Sequence, residues 1–351
     1  MRKVLVTGAT GFLGGWTVAR LLDSGYEVAV CLNARSRSTH RADSSYHRNG
    51  LERRCEEFRA DLTRYKEVET LLQTAKPDAI VHMAALGDVT VSIKQPLETF
   101  HCSATISANL FEAVRRAGRH VPIVSHTTDK VYGNNEVPFR ETMALRPFHV
   151  YEIAKATQDH LGQFYAQQYG LPIVTVRCGN YFGPNDFNFN RIVPYTIRQN
   201  LLGKSIVLRS DGNFTRDFLY VEDAADVNLR LLTALRDGTP GVSGEALNFS
   251  LEVQITVREM VATICRLMDV PQRIRVEGGT PAEIADMRLA CDKARHVLGW
   301  VPKYPLEPAL RRTIDAYRTS FQPDAPPDTK RRARTKVAYG MPVASVGESS
   351  T

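Results

Sequence analysis

Two polar segments of the chain combine residue types that can move protons. Tyr151 and Lys155 lie four residues apart in a stretch of helical periodicity, 150–169, so their side chains share one helix face. A nearby ammonium group lowers the pKa of a phenol, which makes Tyr151 a candidate base near neutral pH. Such a pair also arises by chance, so the elements around it must decide its weight.

The second segment follows an apolar run, 121–125, that we predict to be a strand. Thr128 offers a hydroxyl, Asp129 a proton donor and Lys130 a base. An isolated Asp-Lys pair usually marks a solvated turn, but this pair follows a strand end, where open α/β sheets bind their ligands. The predicted catalytic residues are Thr128, Asp129, Lys130, Tyr151 and Lys155.

Glycines spaced three residues apart open the first helical stretch. Gly8, Gly11 and Gly14 directly follow the apolar run 4–6. Glycine permits a tight turn and a close approach to a pyrophosphate, and a helix N-terminus offers it free N–H groups. We therefore predict a dinucleotide site at this turn, completed by residues after the neighbouring strands. The predicted cofactor-binding residues are Gly8, Thr10, Gly11, Phe12, Leu13, Gly14, Asn33, Arg35, Arg37, Asp61, Leu62, Met83, Ala84 and Ala85, together with Tyr151 and Lys155.

The end of the second predicted strand bears on the choice between NAD and NADP. An NAD site often has an acid there for the ribose 2′-hydroxyl, and Leu32 occupies the expected position instead. Arg35 and Arg37 follow, and an arginine can accommodate a 2′-phosphate, although a solvated basic loop explains them equally well. We predict NAD, with NADP as the alternative.

The elements that must position these residues alternate along the first half of the chain. Short apolar runs are separated by stretches of helical periodicity, which predicts a parallel sheet with helices on both faces. The expected fold class is therefore α/β, a Rossmann doubly wound parallel sheet with a smaller mixed α/β substrate-binding domain. The predicted parts are an NAD(P)-binding domain at 1–180 and about 216–245, a substrate-binding domain at 181–215 and 246–320, and a disordered tail at 321–351.

Composition excludes several other classes of protein. The chain has 351 residues, of which 43% are hydrophobic and 24% charged, as in ordinary globular proteins. No apolar run is long enough to span a membrane, and the N-terminus does not resemble a signal peptide. The six cysteines form no CxxC pair, so we expect a cytoplasmic protein without a metal site.

The net charge of +7 comes mainly from two segments. Residues 33–54 hold six Arg against Asp43 and Glu52, a balance of +4, and residues 322–351 hold five Lys and Arg against three acids, a balance of +2. The rest of the chain is close to neutral. No basic face suited to nucleic acid is therefore expected.

Together, these motifs resemble the extended short-chain dehydrogenase/reductase family of nucleotide-sugar epimerases and dehydratases, over about residues 2–318. Within that family, Thr128-Asp129-Lys130 followed by Tyr132-Gly133 is similar to the sugar 4,6-dehydratases, and the run 188–194 is most similar to CDP-glucose 4,6-dehydratases and their relatives. The other segments that carry the resemblance are the glycine turn, the Tyr151–Lys155 pair, and the motifs 177–184, 216–223 and 298–302.

The resemblance implies conversion of an NDP-hexose into an NDP-4-keto-6-deoxyhexose. Tyr151 would accept the C4 hydroxyl proton, Lys130 would deprotonate C5 and Asp129 would protonate the leaving C6 hydroxyl, while hydride passes from C4 to C6 through NAD. An NDP-sugar 4-epimerase or another NAD(P)-dependent oxidoreductase is the alternative, and a non-enzymatic dinucleotide sensor is less consistent with the retained polar residues. The implied substrate-binding residues are Asp88, Asn180, Arg191, Arg216 and Arg288.

Two positions depart from the family pattern. Ser103 stands where the family usually has Asn, and His149-Val150 where Pro or Ser is common, so we expect an unusual cofactor environment and sugar pocket. The family usually dimerises through two long helices, here about 96–117 and 150–169. The resemblance therefore implies two partners, a nucleotide-diphosphate sugar and a second copy of the chain, with neither nucleic acid nor membrane involved.

Overall fold

The structure is a computed structural model that describes residues 2–34, 44–87, 89–278 and 284–321. Its strands are β1 (Lys3–Thr7), β2 (Glu27–Asn33), β3 (Glu56–Ala60), β4 (Ala79–His82), β5 (Ile123–His126), β6 (Ile173–Cys178), β7 (Asn180–Phe182), β8 (Ile206–Leu208), β9 (Thr215–Arg216), β10 (Phe218–Tyr220), β11 (Ala246–Phe249), β12 (Ile255–Thr256) and β13 (Ile274–Val276). Its α-helices are α1 (Phe12–Asp23), α2 (Ser45–Arg48), α3 (Tyr65–Ala75), α4 (Val89–Lys94), α5 (Pro96–Phe100), α6 (Ile106–Arg116), α7 (Val150–Tyr169), α8 (Ile192–Leu201), α9 (Val221–Arg236), α10 (Val257–Met268), α11 (Asp292–Leu298) and α12 (Leu306–Ser320). Short 3-10 turns cover Leu51–Arg53 and Asp129–Tyr132, and a π-helical turn, His101–Thr105, joins α5 to α6.

Within the described residues, seven parallel strands form one large sheet in the order β3-β2-β1-β4-β5-β6-β11. Strands β1, β4, β5 and β6 are buried along almost their whole length because helices cover both faces of the sheet. The strand order reverses between β1 and β4, and open α/β sheets bind their ligands in the crevice at such a reversal. The predicted α/β class with a doubly wound parallel sheet is confirmed.

Two apolar clusters lie on opposite faces of the sheet. One buries residues of α1 and α9, such as Leu21 and Leu231, and the other buries residues of α3 and α6, such as Leu71 and Phe111. Helix α7 has the bounds that the periodicity predicts and ends at Gly170, whose φ of +66° places it in the left-handed region. The predicted helix at 96–117 is interrupted by the π-helical turn.

The boundary between the two lobes differs from the prediction. Strand β11 pairs in parallel with β6, with Ala246 opposite Thr175, so residues 246–249 belong to the large sheet. Without β11, the edge of β6 would leave a row of N–H and C=O groups unpaired. Strand β10, predicted to return to the first domain, instead pairs with β7 in a separate small sheet.

The second lobe has its own core, which brings together Phe182, Ile264 and Ile314. At its end, the ring of Phe321 stacks on that of Tyr317, with centroids 6.2 Å apart. The remaining residues of the predicted tail, 322–351, lie outside the described part of the chain.

Candidate active site

The strand ends at the reversal of the sheet order bring the predicted segments together. Gly8 follows β1, Met83 follows β4, Thr127 follows β5 and Gly179 follows β6. Because the paired strands are parallel and adjacent, these residues lie along one edge of the sheet. The cofactor and proton-transfer segments predicted from the sequence therefore open onto the same crevice.

The glycine turn leaves almost no space beside its backbone. Gly8 has a φ of +77°, and a Cβ there would lie 2.8 Å from the amide nitrogen of Ala84, while a Cβ on Gly14 would lie 2.1 Å from the carbonyl oxygen of Gly8. Gly11 is the N-cap of α1 and provides no side-chain cap, and the first turn of α1 contains no acid. The first N–H groups of α1 and its positive dipole end therefore suit a pyrophosphate, as a dinucleotide requires.

A buried hydrogen-bond chain fixes the backbone after β4. Thr7 Oγ1 accepts bonds from the Met83 and Ala84 amides, both at 3.2 Å, and lies 2.8 Å from His82 Nδ1. The two amide bonds occupy both lone pairs of the Thr7 hydroxyl, so its proton is donated to His82 Nδ1. His82 therefore carries its own proton on Nε2 and donates it to Ser107 Oγ at 2.9 Å. Burial lowers the pKa of His82 to about 3, which keeps the ring neutral. The predicted cofactor residues Met83 and Ala84 are thus held against the glycine turn.

At the end of β2, the residue exposed on the predicted adenosine side comes one position later than expected. Leu32 is 2% exposed and belongs to the core, whereas Asn33 is exposed at the end of the strand. Because side chains alternate along a strand, the side chain available at this end is an amide rather than the expected acid. Arg35 and Arg37 lie outside the described residues.

The end of β3 forms a tight turn. The Asp61 carboxylate accepts bonds from the Thr63 amide at 3.0 Å and the Thr63 hydroxyl at 2.6 Å. Leu62 is buried, and its carbonyl accepts a bond from Asn109 Nδ2 at 2.9 Å. Hydrogen bonds at the sheet edge therefore fix the conformation of both predicted cofactor residues, Asp61 and Leu62.

Helix α7 holds Tyr151 and Lys155 in buried surroundings that change their proton affinities. The pKa of Tyr151 is raised to about 12, mainly by burial and also by the Asp129 charge, while the contact with the Thr128 hydroxyl opposes the rise. Burial lowers the pKa of Lys155 to about 7. The ammonium donates to the His126 carbonyl and to Gln158 Oε1, both at 2.9 Å. The predicted lowering of the Tyr151 pKa is therefore wrong for this structure, because burial of the phenol outweighs the effect of nearby cations.

A capping box begins α7 just before Tyr151. The His149 side chain accepts a bond from the Glu152 amide, and the Glu152 carboxylate accepts bonds from the amides of His149, at 3.4 Å, and Phe148, at 3.1 Å. The imidazole thus performs the role that Ser or Thr usually has at an N-cap. This unusual residue at the helix start fixes the first turn, which carries Tyr151.

The Asp129–Tyr132 turn places an acid and an ammonium beside Tyr151. Thr128 Oγ1 donates to Asp129 Oδ1 at 3.1 Å and accepts a bond from the Lys130 amide at 3.3 Å. Lys130 Nζ lies 3.6 Å from Asp129 Oδ1 and donates to Asn180 Oδ1 at 3.3 Å. Asp129 is 1% exposed, and among the described residues its Oδ2 has no hydrogen-bond partner. Such a buried oxygen suits a substrate hydroxyl.

Two predicted substrate residues lie close to this centre. Asn180 begins β7 and bonds Lys130, as described above. Arg191 pairs with Asp186 at 3.0 Å, and its guanidinium carbon lies 5.8 Å from the ring centroid of Phe12, at the start of α1. Its charge also lowers the pKa of Tyr151, against the larger effect of burial. Arg191 is therefore near both the glycine turn and the catalytic phenol.

The other predicted substrate residues occupy a neighbouring part of the second lobe. Arg216 Nη1 donates to the Thr215 carbonyl at 2.8 Å and to the Ile284 carbonyl at 2.9 Å. Arg288 lines a cavity of about 350 Å³ together with Arg140 and other residues. The predicted residue Asp88 lies outside the described part of the chain.

Sequence reasoning missed Asp217, which joins the segments that carry Arg216 and Arg288. Its carboxylate accepts bonds from the Phe218 amide at 2.8 Å and the Leu289 amide at 2.9 Å. Burial raises the pKa of Asp217 to about 7, although backbone hydrogen bonds oppose the shift. The signal available in the sequence was an acid within the apolar run that follows Arg216.

Among the described residues, no group of three His, Cys, Asp or Glu side chains is arranged to hold a metal ion. None of the described helices combines the length and the apolar composition that crossing a membrane requires.

The fold and the side chains at its crevice define a dinucleotide-binding protein equipped for proton transfer. The family model described as NAD dependent epimerase/dehydratase matches residues 4–248. A dTDP-glucose 4,6-dehydratase of Neisseria meningitidis serogroup B is 30% identical, over 90% of this chain and 93% of the relative. A second, from Xanthomonas campestris pv. campestris, is 31% identical over 91% and 94%. The solved structure of the Thermus thermophilus UDP-glucose 4-epimerase in complex with NAD has a TM-score of 0.76 and 28% identity, over 90% of this chain and 99% of its own.

The chain belongs to the NAD dependent epimerase/dehydratase family. The predicted resemblance to extended short-chain dehydrogenases/reductases is confirmed.

Proposed function

We propose that this chain is a nucleotide-sugar 4,6-dehydratase that converts an NDP-hexose into an NDP-4-keto-6-deoxyhexose. The observation that carries the proposal is the buried Asp129 carboxylate near Tyr151, with the Lys130 Nζ 3.6 Å from that carboxylate. Epimerisation at C4 needs only removal and return of hydride, whereas 4,6-dehydration also needs a base for C5 and an acid for the C6 hydroxyl. The relatives named dTDP-glucose 4,6-dehydratase support the same class of reaction.

In the first half of the reaction, Tyr151 takes the proton of the C4 hydroxyl and Thr128 holds that hydroxyl by a hydrogen bond. NAD, which the glycine turn and the N-terminus of α1 would hold, would supply an acceptor for the C4 hydride and a donor for its return to C6. Burial raises the pKa of Tyr151, and the Arg191 charge opposes that rise. Lys155 lies one helical turn away, where its ammonium would add positive charge beside a phenolate. The resulting C4 ketone acidifies the neighbouring C5–H bond.

In the second half, the Lys130 ammonium passes a proton to the Asp129 carboxylate, 3.6 Å away, and the resulting amine removes the C5 proton. The carboxylic acid of Asp129 protonates the C6 hydroxyl, which leaves as water. Hydride then adds to C6 and Lys130 returns the proton to C5. The proton that Tyr151 took from the C4 hydroxyl replaces the one that the Asp129–Lys130 pair gave to the leaving water, so the balance is the loss of one water. The contact between Lys130 Nζ and Asn180 Oδ1 supports a fixed orientation of this base.

For the nucleotide, we propose CDP, because the run 188–194 is most similar to the CDP-glucose 4,6-dehydratases. The named relatives act on dTDP-glucose, which makes dTDP the main competitor. Asn180, Arg216 and Arg288 are proposed to bind the diphosphate by charge-assisted hydrogen bonds, with Arg191 contributing. The second lobe, from 181–215 and about 250–320, would then hold the nucleotide.

For the cofactor, we propose NAD, held by the glycine turn and the N-terminus of α1. The exposed Asn33 at the end of β2 suits a ribose 2′-hydroxyl as a neutral hydrogen-bonding partner. NADP would require Arg35 or Arg37 to reach a 2′-phosphate. Binding titrations with NAD and NADP, followed by the quenching of tryptophan fluorescence, distinguish the two cofactors.

Apolar side chains on two adjacent helices support the proposed homodimer. Leu97 of α5 is 70% exposed, and Phe164 and Ile153 of α7 are 48% and 41% exposed. Helices α5 and α7 pack against each other, so these side chains lie on neighbouring surfaces. Exposed apolar groups that cluster in this way mark interaction sites.

The experiment that tests the proposed function is turnover of CDP-, dTDP-, UDP- and GDP-glucose, followed by mass spectrometry. We expect loss of one water, fastest with CDP-glucose. Faster loss from dTDP-glucose would reject the CDP assignment alone, and no loss from any of the four would reject the dehydratase. Conversion of UDP-glucose to its C4 epimer without loss of water would establish the alternative, a 4-epimerase.

A substitution of Lys130 tests the role of the turn. In Lys130→Met we expect dehydration to be lost while oxidation at C4 persists, seen as reduced cofactor in a single turnover. The matched control is Lys66→Met, because the Lys66 side chain is 85% exposed and pairs with Glu69 on the surface. If Lys130→Met forms product at the rate of the control, Lys130 is not the base.

A further inference from the structure

A buried arginine of β6, the strand next to the edge strand β11, joins helix α7 to the large sheet. Arg177 of β6 is 3% exposed and forms two parallel bonds to Asp159, from Nε at 2.7 Å and from Nη2 at 2.8 Å. Asp159 is fully buried and follows Tyr151 and Lys155 at intervals of four residues, so all three share one face of α7. The ion pair thus anchors the face of α7 that carries the proposed base.

The third nitrogen of the same guanidinium contacts the Asp129–Tyr132 turn. Arg177 Nη1 donates to the hydroxyl oxygen of Tyr132 at 2.8 Å, and that hydroxyl donates to Asn248 Oδ1 at 2.8 Å. Asn248 Nδ2 in turn donates to the carbonyls of Phe139 at 3.0 Å and Ala290 at 3.2 Å. Tyr132, Arg177 and Asn248 are buried, so water does not compete for these bonds.

The same ion pair holds both ends of the turn. At its entry, Thr127 Oγ1 lies 3.2 Å from Asp159 Oδ2, within donating distance. At its exit, Tyr132 is the last residue of the turn and is bonded to Arg177. Asp129 and Lys130 lie between these two anchors. The turn is followed by Gly133, where a Cβ would lie 1.9 Å from the Arg146 carbonyl oxygen, so the chain has no room to shift there.

Stability alone does not account for this arrangement. A buried ion pair is often no more stabilising than apolar side chains of the same volume, because both charges must leave water. What apolar side chains cannot supply is a fixed geometry between three separate elements, here α7, β6 and the turn. Fixed geometry matters most for groups that transfer protons, where small displacements slow the reaction steeply.

We propose that Tyr132, Arg177 and Asp159 are positioning residues that hold Asp129 and Lys130 in register with Tyr151, so that losing the Tyr132 hydroxyl slows elimination of water more than oxidation at C4. The inference rests on the proposed dehydratase function. Oxidation depends on Tyr151 and Thr128, which do not bond to the Tyr132 hydroxyl; the capping box also fixes the start of α7, and backbone pairing also fixes the end of β5. The Thr127 amide, for example, donates to the Val176 carbonyl at 2.8 Å.

The test compares two tyrosines that each lose one buried hydroxyl. Tyr132→Phe removes the bond from Arg177 and keeps the ring, which stacks on Phe139 with centroids 5.0 Å apart. Tyr46→Phe is the matched control. Tyr46, on helix α2, is also fully buried, and its hydroxyl donates to Glu57 at 2.9 Å. Comparison of the thermal unfolding of the two variants separates a general loss of stability from an effect on the turn.

The readouts are the rate of C4 oxidation in a single turnover, the rate of water loss, and incorporation of solvent deuterium at C5. In Tyr132→Phe we expect kcat for dehydration to fall about 100-fold, the size associated with a misplacement of about 1 Å. Oxidation and KM should stay within about twofold of the wild type, while Tyr46→Phe leaves every step unchanged. Arg177→Lys, which keeps the charge but loses the paired bonds, should show the same separation of the two steps.

Equal slowing of oxidation and elimination, or no slowing of either, would overturn the positioning role. If Tyr132→Phe does not fold, the same outcomes are read from Arg177→Lys. Failure of the proposed function is measured separately, on the wild type. A wild-type chain that releases no water from any nucleotide sugar is not a dehydratase, and the proposed positioning role in elimination is then rejected as well. A wild type that dehydrates, with variants that slow both steps together, leaves the function intact and rejects the positioning role alone.

Discussion

Replacing Gly14 by alanine should damage the cofactor site and the fold together, because the added methyl group meets backbone on two sides. A Cβ on Gly14 would lie 2.1 Å from the Gly8 carbonyl oxygen and 2.7 Å from the Ala9 Cα. At Gly11, by contrast, the nearest atom would be 3.1 Å away. The turn must therefore open by about 1 Å to accept the new atom, the difference between 3.1 and 2.1 Å.

The expected magnitude follows from that displacement. Adding a methyl group to a tightly packed site costs about 1–3 kcal/mol, and contact with rigid backbone places Gly14→Ala at about 3 kcal/mol. For a domain of this size, that corresponds to a fall of about 6–12 °C in Tm. Loss of one N–H bond to a charged phosphate costs about 1.5–3 kcal/mol. That is about 10- to 150-fold in the Kd for NAD.

The assay measures thermal unfolding and NAD binding for each variant, with Gly25→Ala as the control. Gly25 has a φ of +83° and nothing within 4 Å of the position that a Cβ would occupy, so its substitution costs about 1–2 kcal/mol of backbone strain without touching the cofactor turn. Gly14→Ala should lose both stability and NAD, whereas Gly25→Ala should lose stability only. A Gly14→Ala chain that binds NAD as tightly as the wild type would refute the close-packing argument.

Three further predictions concern the burial of Lys155, the dimer and Asp217. Because burial lowers the Lys155 pKa from 10.5 to about 7, its destabilising effect is complete below pH 7 and is relieved as the pH rises towards 10.5. The free energy of unfolding of Lys155→Met, minus that of the wild type, should therefore fall between pH 7 and 10 in urea titrations, and a flat difference would contradict the burial effect. Phe164→Glu should give monomers by light scattering, because an exposed ring proposed to be buried between subunits becomes charged; an unchanged mass would place any interface elsewhere. Asp217→Ala should raise the KM for the nucleotide sugar by about 10-fold, since the Leu289 amide loses its acceptor beside Arg288, and a change in kcat alone would show that Asp217 does not act through substrate binding.

Local sequence signals were sufficient to predict much of the fold. The bounds of α7 follow from its periodicity and from Gly170, and the glycine turn follows from its spacing after an apolar run. The position of β11 did not follow, because a four-residue strand with three apolar residues, far along the chain, carries no sign of which strand it pairs with. Pairing of this kind depends on which edge of the sheet remains open, a property of the assembled sheet.

The candidate site shows the same limit. The Tyr151–Lys155 spacing and the residues after β5 could be identified from the sequence, because each lies within one local motif. The bond from Arg177 to Tyr132 joins residues 45 apart, and no local pattern predicts it. A signal was nevertheless present, since an arginine within a strand buried on both faces needs a buried partner. Asp159, on the same helix face as Tyr151, was the acid in position to provide it.

The structure also couples the two proton-transfer groups that the reaction requires. In the proposed reaction, oxidation at C4 needs Tyr151 ionised, whereas loss of the C6 hydroxyl needs Asp129 protonated. Because the Asp129 charge raises the pKa of Tyr151, a proton that moves onto Asp129 makes ionisation of Tyr151 easier, so the two required states favour each other. Asp129→Asn is neutral at every pH, so the pKa of Tyr151 should fall. The rising limb of the pH–rate profile for C4 oxidation should therefore move to lower pH, while water loss stops. Single-turnover oxidation measured across pH tests this coupling, and a limb that stays in place or moves to higher pH would show that Asp129 does not control the proton on Tyr151.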